Sequence, residues 1–192
     1  MKNNRHGKAA VWNSNVIRKM RSRLTIPAQR LIFEISLYTG ERIGAIVQLK
    51  KHDVYDEWGK TRSCITFPGI TRKSSKHGIA QTRQIPIHPD LKLHLNNYSL
   101  TSDRYLFPSN SSQSGHITRR AVDKYWRTIL RDYGFSGFST HSSRRWVINQ
   151  LRSTGTEISI IAETMAVDIN TVRRYLNDDP IACQRAIASL TI

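Results

Sequence analysis

An α+β fold, mainly α with one small antiparallel sheet, is what this chain predicts, and three observations predict it. Apolar residues recur at helical spacing over most of the 192 residues. Between about 54 and 87 that spacing gives way to two short β-type runs, Cys64-Ile65-Thr66-Phe67 and Arg83-Gln84-Ile85-Pro86-Ile87, divided by a basic Ser/Gly-containing stretch. Prolines and glycines fall where helices start and stop. A chain of this length supports one well-buried core and is short for two. A single unit over 14–192 is expected, preceded by a polar, basic arm over 1–13.

The elements follow in order. Asn13-Ser14 signals a helix start. Pro27, at a first helical position, opens a second helix that runs through Leu31, Ile32, Ile35 and Leu37 to Gly40. A third carries Ile43, Ile46, Val47 and Leu49, so Thr39-Gly40-Glu41-Arg42 stands at a junction that aims Arg42 outward. The two β runs form a hairpin whose connection bears Lys73 and Lys76. His88-Pro89 begins a further helix, and a Ser-rich loop over 109–115 precedes a long basic amphipathic helix, 117–133, closed by Gly134. The rest reads as helical over about 141–154, 157–165, 169–177 and 180–190, broken at Gly155, near Asp168 and at Pro180.

Charge narrows the partner. Lys and Arg number 30 against 14 Asp and Glu, a formal net charge of +16 spread along the whole length, which points to a polyanion and first to nucleic acid. No run of about 18 apolar residues and no signal-peptide core occurs, so membrane binding is the weaker reading. Cys64 and Cys183 are isolated, without zinc or disulfide spacing, and fit a reducing cytoplasm. His77, His88, His94 and His116 show no metal-ligand spacing.

Breaking a phosphodiester covalently takes a nucleophile, cationic donors on the non-bridging oxygens and an acid for the departing oxygen. Arginine suits the second task, being permanently charged and able to give two parallel hydrogen bonds to phosphate. Arg42 and Arg144 are candidates. His141, in His141-Ser142-Ser143-Arg144, lies one helical turn before Arg144 and shares its face. Tyr175, in Thr171-Val172-Arg173-Arg174-Tyr175, is the candidate nucleophile. Arg119, Arg120 and Lys124 on the long helix, with Arg72, Arg145, Arg173 and Arg174, are candidate DNA contacts.

The order and spacing of these residues resemble the catalytic domain of the tyrosine recombinases, the phage integrase and Xer-type family, over most of the chain. Thr39-Gly40-Glu41-Arg42 resembles the family's Thr-Gly-x-Arg box and His141-Ser142-Ser143-Arg144 its His-x-x-Arg box; Tyr175 falls where the nucleophile belongs. Tyr105-Leu106-Phe107-Pro108-Ser109 is a softer match. The resemblance implies site-specific strand exchange on double-stranded DNA through a 3′-phosphotyrosyl link, without metal or nucleotide. It implies Arg42 and Arg144 on the phosphate, His141 in proton transfer, Lys76 or Lys73 as general acid, and a homo-tetramer on DNA. The last helix, 180–190, then docks on a neighbour or packs on its own core. Two departures stand out. Ala45 replaces the acidic residue common after the first arginine. In the Leu-Gly-His segment, Val167 or Ala166, depending on the direction of counting, replaces the family's His or Trp and removes a phosphate donor. The N-terminal helical domain that clamps the far side of DNA is not expected in this chain, and whether an accessory DNA-bending or clamp protein replaces it is left open by the sequence.

One rival reading uses the same tail. Residues 158–176 also look like a helix-turn-helix with a recognition helix from Asn170, which makes the protein a non-catalytic DNA-binding regulator in which Tyr175 packs or touches DNA. That reading leaves Arg42, the hairpin and His141 with Arg144 unexplained. An RNA-binding module wants exposed aromatics on a sheet, and the β runs offer few.

Overall fold

The computed structural model of the chain describes residues 9–72, 81–176 and 188. The elements bounded within them are eight α-helices, two single 3-10 turns and one two-stranded sheet, the α-helices and strands being α1 Ser14–Arg23, α2 Pro27–Thr39, α3 Ile43–Ile46, β1 Cys64–Phe67, β2 Arg83–Pro86, α4 Pro89–Asn96, α5 Arg119–Asp132, α6 Ser142–Ser153, α7 Ile158–Met165 and α8 Ile169–Tyr175. Lys73, Lys76, Cys183 and all of the expected 180–190 helix except Ala188, which is helical, lie outside the described residues.

The predicted start and stop signals act where the sequence puts them. The Asn13 side chain accepts the Val16 N–H at 3.0 Å and caps α1. Pro27 opens α2, and Gly40 ends it in the left-handed conformation (φ 59°, ψ 13°). Strands β1 and β2 pair antiparallel with Ile65 opposite Ile85 and Phe67 opposite Arg83. The period of two then sends Ile65, Phe67, Ile85 and also Arg83 inward.

Three expectations are corrected. The arm does not extend to residue 13: Trp12 is buried among Phe33 (5.6 Å, edge-on), Trp126 (5.9 Å, edge-on) and Phe138 (5.4 Å, stacked), and Ala10 N–H donates to Gly137 O at 2.9 Å. One indole carries more apolar area than its polar neighbours can hold in water. Helix α3 is a single turn, because the chain after it is drawn into an extended pairing: Leu106 N–H donates to Leu49 O at 2.8 Å and Lys50 bridges Tyr105. Helix α5 starts at Arg119 rather than 117, since Ile117 N–H is taken by Phe107 O and Thr118 caps the helix through the Ala121 N–H at 3.1 Å.

Two apolar clusters result. The larger runs from Trp12 to Leu130 and joins α1–α5 and the sheet. The smaller holds Ile148, Ile161, Ala162, Met165 and Val172 of α6, α7 and α8, with Val147, Val167 and Tyr175 packed on it. They meet where a methyl added at Gly40 would lie 2.6 Å from Met165 Cε and 3.1 Å from Val147 Cβ, so only glycine permits the approach. No helix among the described residues is long and apolar enough to cross a membrane.

Candidate active site

A cavity of about 430 Å³ opens at that seam, lined among others by Glu41, Arg42, Gln48, Arg119, His141, Arg144 and Tyr175. Arg42, His141, Arg144 and Tyr175, drawn from sequence positions up to the far end of the chain, therefore face one space.

Arg144 is the most firmly held. Only 1% of its surface is exposed; its Nη1 donates to Gly40 O and its Nη2 to Met165 O, both at 2.9 Å. Both acceptors are freed by helix ends: Gly40 turns α2 off, and α7 ends at Ala166, left-handed at φ 47°, ψ 58°. Nε of Arg144 is buried without a hydrogen-bond partner. Burial lowers the Arg144 pKa to about 10, with Arg42 and Arg83 acting in the same direction, and Glu41 and Tyr175 opposing them. The guanidinium is still charged at neutral pH, in a place where charge is costly unless an anion is near.

Arg42 caps α3 with extended backbone (φ −67°, ψ 138°) and is half-buried. Its guanidinium makes no hydrogen bond or ion pair among the described residues, while its N–H donates to Glu41 Oε1 at 2.8 Å. His141 precedes α6 and is open to solvent on one side. Withdrawal from water at the cavity wall lowers its pKa below the usual imidazole value, and the charges of Arg119, Arg42 and Arg144 add to this. Its ring is accordingly neutral at pH 7. Tyr175, the last residue of α8, is half-buried; its carbonyl accepts from Arg145 Nε (3.3 Å) and Asn149 Nδ2 (3.0 Å), which ties α8 to α6.

The candidate DNA contacts divide. Arg119, Arg120, Lys124, Arg173 and Arg174 are exposed, and Arg119 also lines the cavity. Arg72 and Arg145 instead point inward. The Arg72 side chain is 5% exposed and shared between Glu41 Oε2 and Gln81 O, and Arg145 bonds Ala9 O and Tyr175 O. Sequence reasoning overlooked Glu41, Gln48, Thr71 and Thr140 in the lining and Arg83 behind it. The alternation of β2 was the available signal for Arg83, which shares the inward face of Ile85.

A helical domain with a small sheet thus gathers two arginines, an imidazole and a phenol around one cavity. A family model described as the phage integrase family matches residues 15–180, and the chain belongs to that family. Among solved structures it is similar to XerA recombinase, at 15% identity and a TM-score of 0.70 over 97% of this chain and 66% of that one. It is likewise similar to the Tn1549 transposon integrase in complex with circular intermediate DNA (14%, 0.70, 98% and 68%) and to XerH site-specific recombinase bound to difH substrate (19%, 0.64, 95% and 55%). These likenesses show the fold, and the chain spans about two thirds or less of each relative. No curated protein matches the sequence.

Proposed function

We propose that the protein is a tyrosine recombinase that cleaves and rejoins double-stranded DNA through a 3′-phosphotyrosyl intermediate, and that the cavity holds the scissile phosphate. The observation that carries this is the convergence of Arg42, His141, Arg144 and Tyr175 on one cavity whose lining contains Glu41 as its sole acid among the described residues. Arg42 and Arg144 take the non-bridging oxygens. The Tyr175 oxygen attacks phosphorus, its proton passes to the neutral His141 ring, and the P–O5′ bond breaks. Lys76 or Lys73 protonates the departing O5′. The energy of the broken linkage is kept in the phosphotyrosine and rejoining runs the steps in reverse.

The left-handed end of α7 at Ala166 is the conformation that glycine favours, so Ala166 takes the glycine place of the Leu-Gly-His segment and Val167 the place of His or Trp. Val167 packs on the small apolar cluster and offers no donor. Loss of one such donor slows related chemistry by about 10²–10³, and Arg119 at the cavity wall is available to offset part of that. Arg120, Lys124, Arg173 and Arg174 contact flanking phosphates. DNA-bound relatives support a DNA partner, and assembly as a homo-tetramer on DNA belongs to the same reading. The helix-turn-helix regulator is disfavoured because Tyr175 faces the cavity and its carbonyl is fixed to α6.

Incubation with a nicked suicide duplex tests the proposal. A covalent protein–DNA band that survives denaturant and vanishes in Tyr175→Phe is expected; salt-sensitive binding with no adduct favours the regulator.

A further inference from the structure

Glu41 has no part in the chemistry above, yet the fold spends a buried charge on it. Its surface is 1% exposed, and an isolated carboxylate there is costly by several kcal/mol. Every oxygen is matched. Oε1 accepts the Arg42 N–H at 2.8 Å and lies 3.8 Å from Arg144 Nη1; Oε2 accepts from Arg72 Nε at 3.1 Å and Arg83 Nη1 at 3.0 Å. Burial works to raise its pKa, and the Arg42 N–H with the charges of Arg72, Arg144 and Arg83 outweighs it, so the carboxylate stays ionised. The four partners come from four segments: the α2–α3 turn, the chain after β1, β2 itself and α6. Arg72 lies within the β1–β2 connection and Arg83 opens β2. Ala45, where an acidic residue was expected, lines the same cavity with a methyl group.

We infer that Glu41 is the positioning residue of the site, gathering the Arg72, Arg83 and Arg144 side chains about one point and holding the backbone N–H of Arg42, and so replacing the acid that position 45 lacks. The inference rests on the phosphodiester reading of the cavity. Cations packed this closely repel one another, and the carboxylate is what fixes their spacing before DNA arrives. Removing its charge adds to the net positive potential while loosening the geometry, so binding and chemistry move in opposite directions. A residue that serves only stability moves them together.

The test compares wild type, Glu41→Gln, Glu41→Asp and Arg72→Gln on a suicide duplex, with duplex affinity and the adduct-forming rate at saturating DNA measured separately and normalised to folded protein. Glu41→Gln is expected to bind duplex as tightly as wild type or more tightly and to form adduct at least tenfold more slowly, with Glu41→Asp recovering part of the rate. Arg72→Gln is expected to slow the adduct as well, and the double substitution to cost less than the product of the two. Wild-type rates in Glu41→Gln, or additive losses in the double variant, overturn the role of Glu41 and leave the proposed function standing. Should Glu41→Gln not fold, Glu41→Asp decides: it keeps the charge and shortens the reach, so wild-type duplex affinity with a slowed adduct is expected, and a wild-type adduct rate overturns the role of Glu41. A wild-type protein that forms no adduct overturns the proposed function, and the role of Glu41 falls with it.

Discussion

The two sides of the cavity are built to different standards. On one side Arg42 and Glu41 flank Ile43, Ala45 and Ile46 of the large cluster, the same cluster in which Trp12, Phe33 and Trp126 interlock. On the other, Tyr175 ends a two-turn helix whose buried anchor is Val172, in a cluster of five buried side chains. Arg144 spans the divide, rooted in α6 and bonded to a carbonyl from each side. Arg144, proposed to hold phosphate, is thus fixed before DNA arrives, and the group proposed to attack sits on the helix with the fewest buried side chains among those described. Electrostatic stabilisation demands fixed dipoles and charges; a nucleophile that is engaged only on the correct duplex gains from an element that opens easily.

Substitutions can break or sharpen that contrast. The largest effect is expected from Trp12→Ala, which empties the centre of the large cluster and lowers global stability by about 3–5 kcal/mol. Thermal or denaturant unfolding measures it, and the fraction still folded should cleave at the wild-type rate. Next comes Arg144→Lys, which keeps the charge and loses the fork that bonds Gly40 and Met165 together. Its adduct-forming rate should fall by about 10²–10³, as for loss of a preorganised donor, while duplex affinity stays within a few-fold. Gly40→Ala forces a Cβ into left-handed backbone and onto Met165 and Val147, which should cost about 1–3 kcal/mol in unfolding experiments.

The smallest effect concerns pH. The folded-state pKa of His141 lies below the ordinary 6.5, so His141 favours the fold above that value, and the contribution is lost as pH falls through the folded pKa. A bound phosphate reverses the preference by favouring the imidazolium. Duplex affinity should therefore rise modestly as pH falls from about 8 to 5.5, by less than about 1 kcal/mol at this half-open position. His141→Gln should flatten the part of that rise owed to this ring, as titration of labelled duplex against both proteins would show.

Local signals carried much of the architecture. Asn13, Pro27, Gly40 and the alternation in 64–67 and 83–86 marked α1, α2 and the hairpin strands, because caps, proline geometry and strand period act over a few residues. What stayed hidden depends on distant partners. Trp12 looked like part of an arm because its pocket is made by Phe33, Trp126 and Phe138. Helix α3 looked longer because the pairing of Leu49 and Lys50 with 105–106 is invisible locally. Arg42, His141, Arg144 and Tyr175, singled out by order and spacing, line one cavity. Arg72 and Arg145 were read as outward because arginine usually is; their burial follows from acceptors at Glu41, Gln81, Ala9 and Tyr175 that no local pattern reveals. The left-handed backbone at Ala166 is likewise set by the fold and not by a local pattern.

Locating the covalent link tests the central claim most directly. Digestion of the denatured adduct with nuclease and trypsin, followed by mass spectrometry, should place a nucleotide remnant on the peptide covering residues 175–185, whose sole tyrosine is Tyr175. A remnant carried by any other residue, or none under conditions where the duplex is bound, would contradict it.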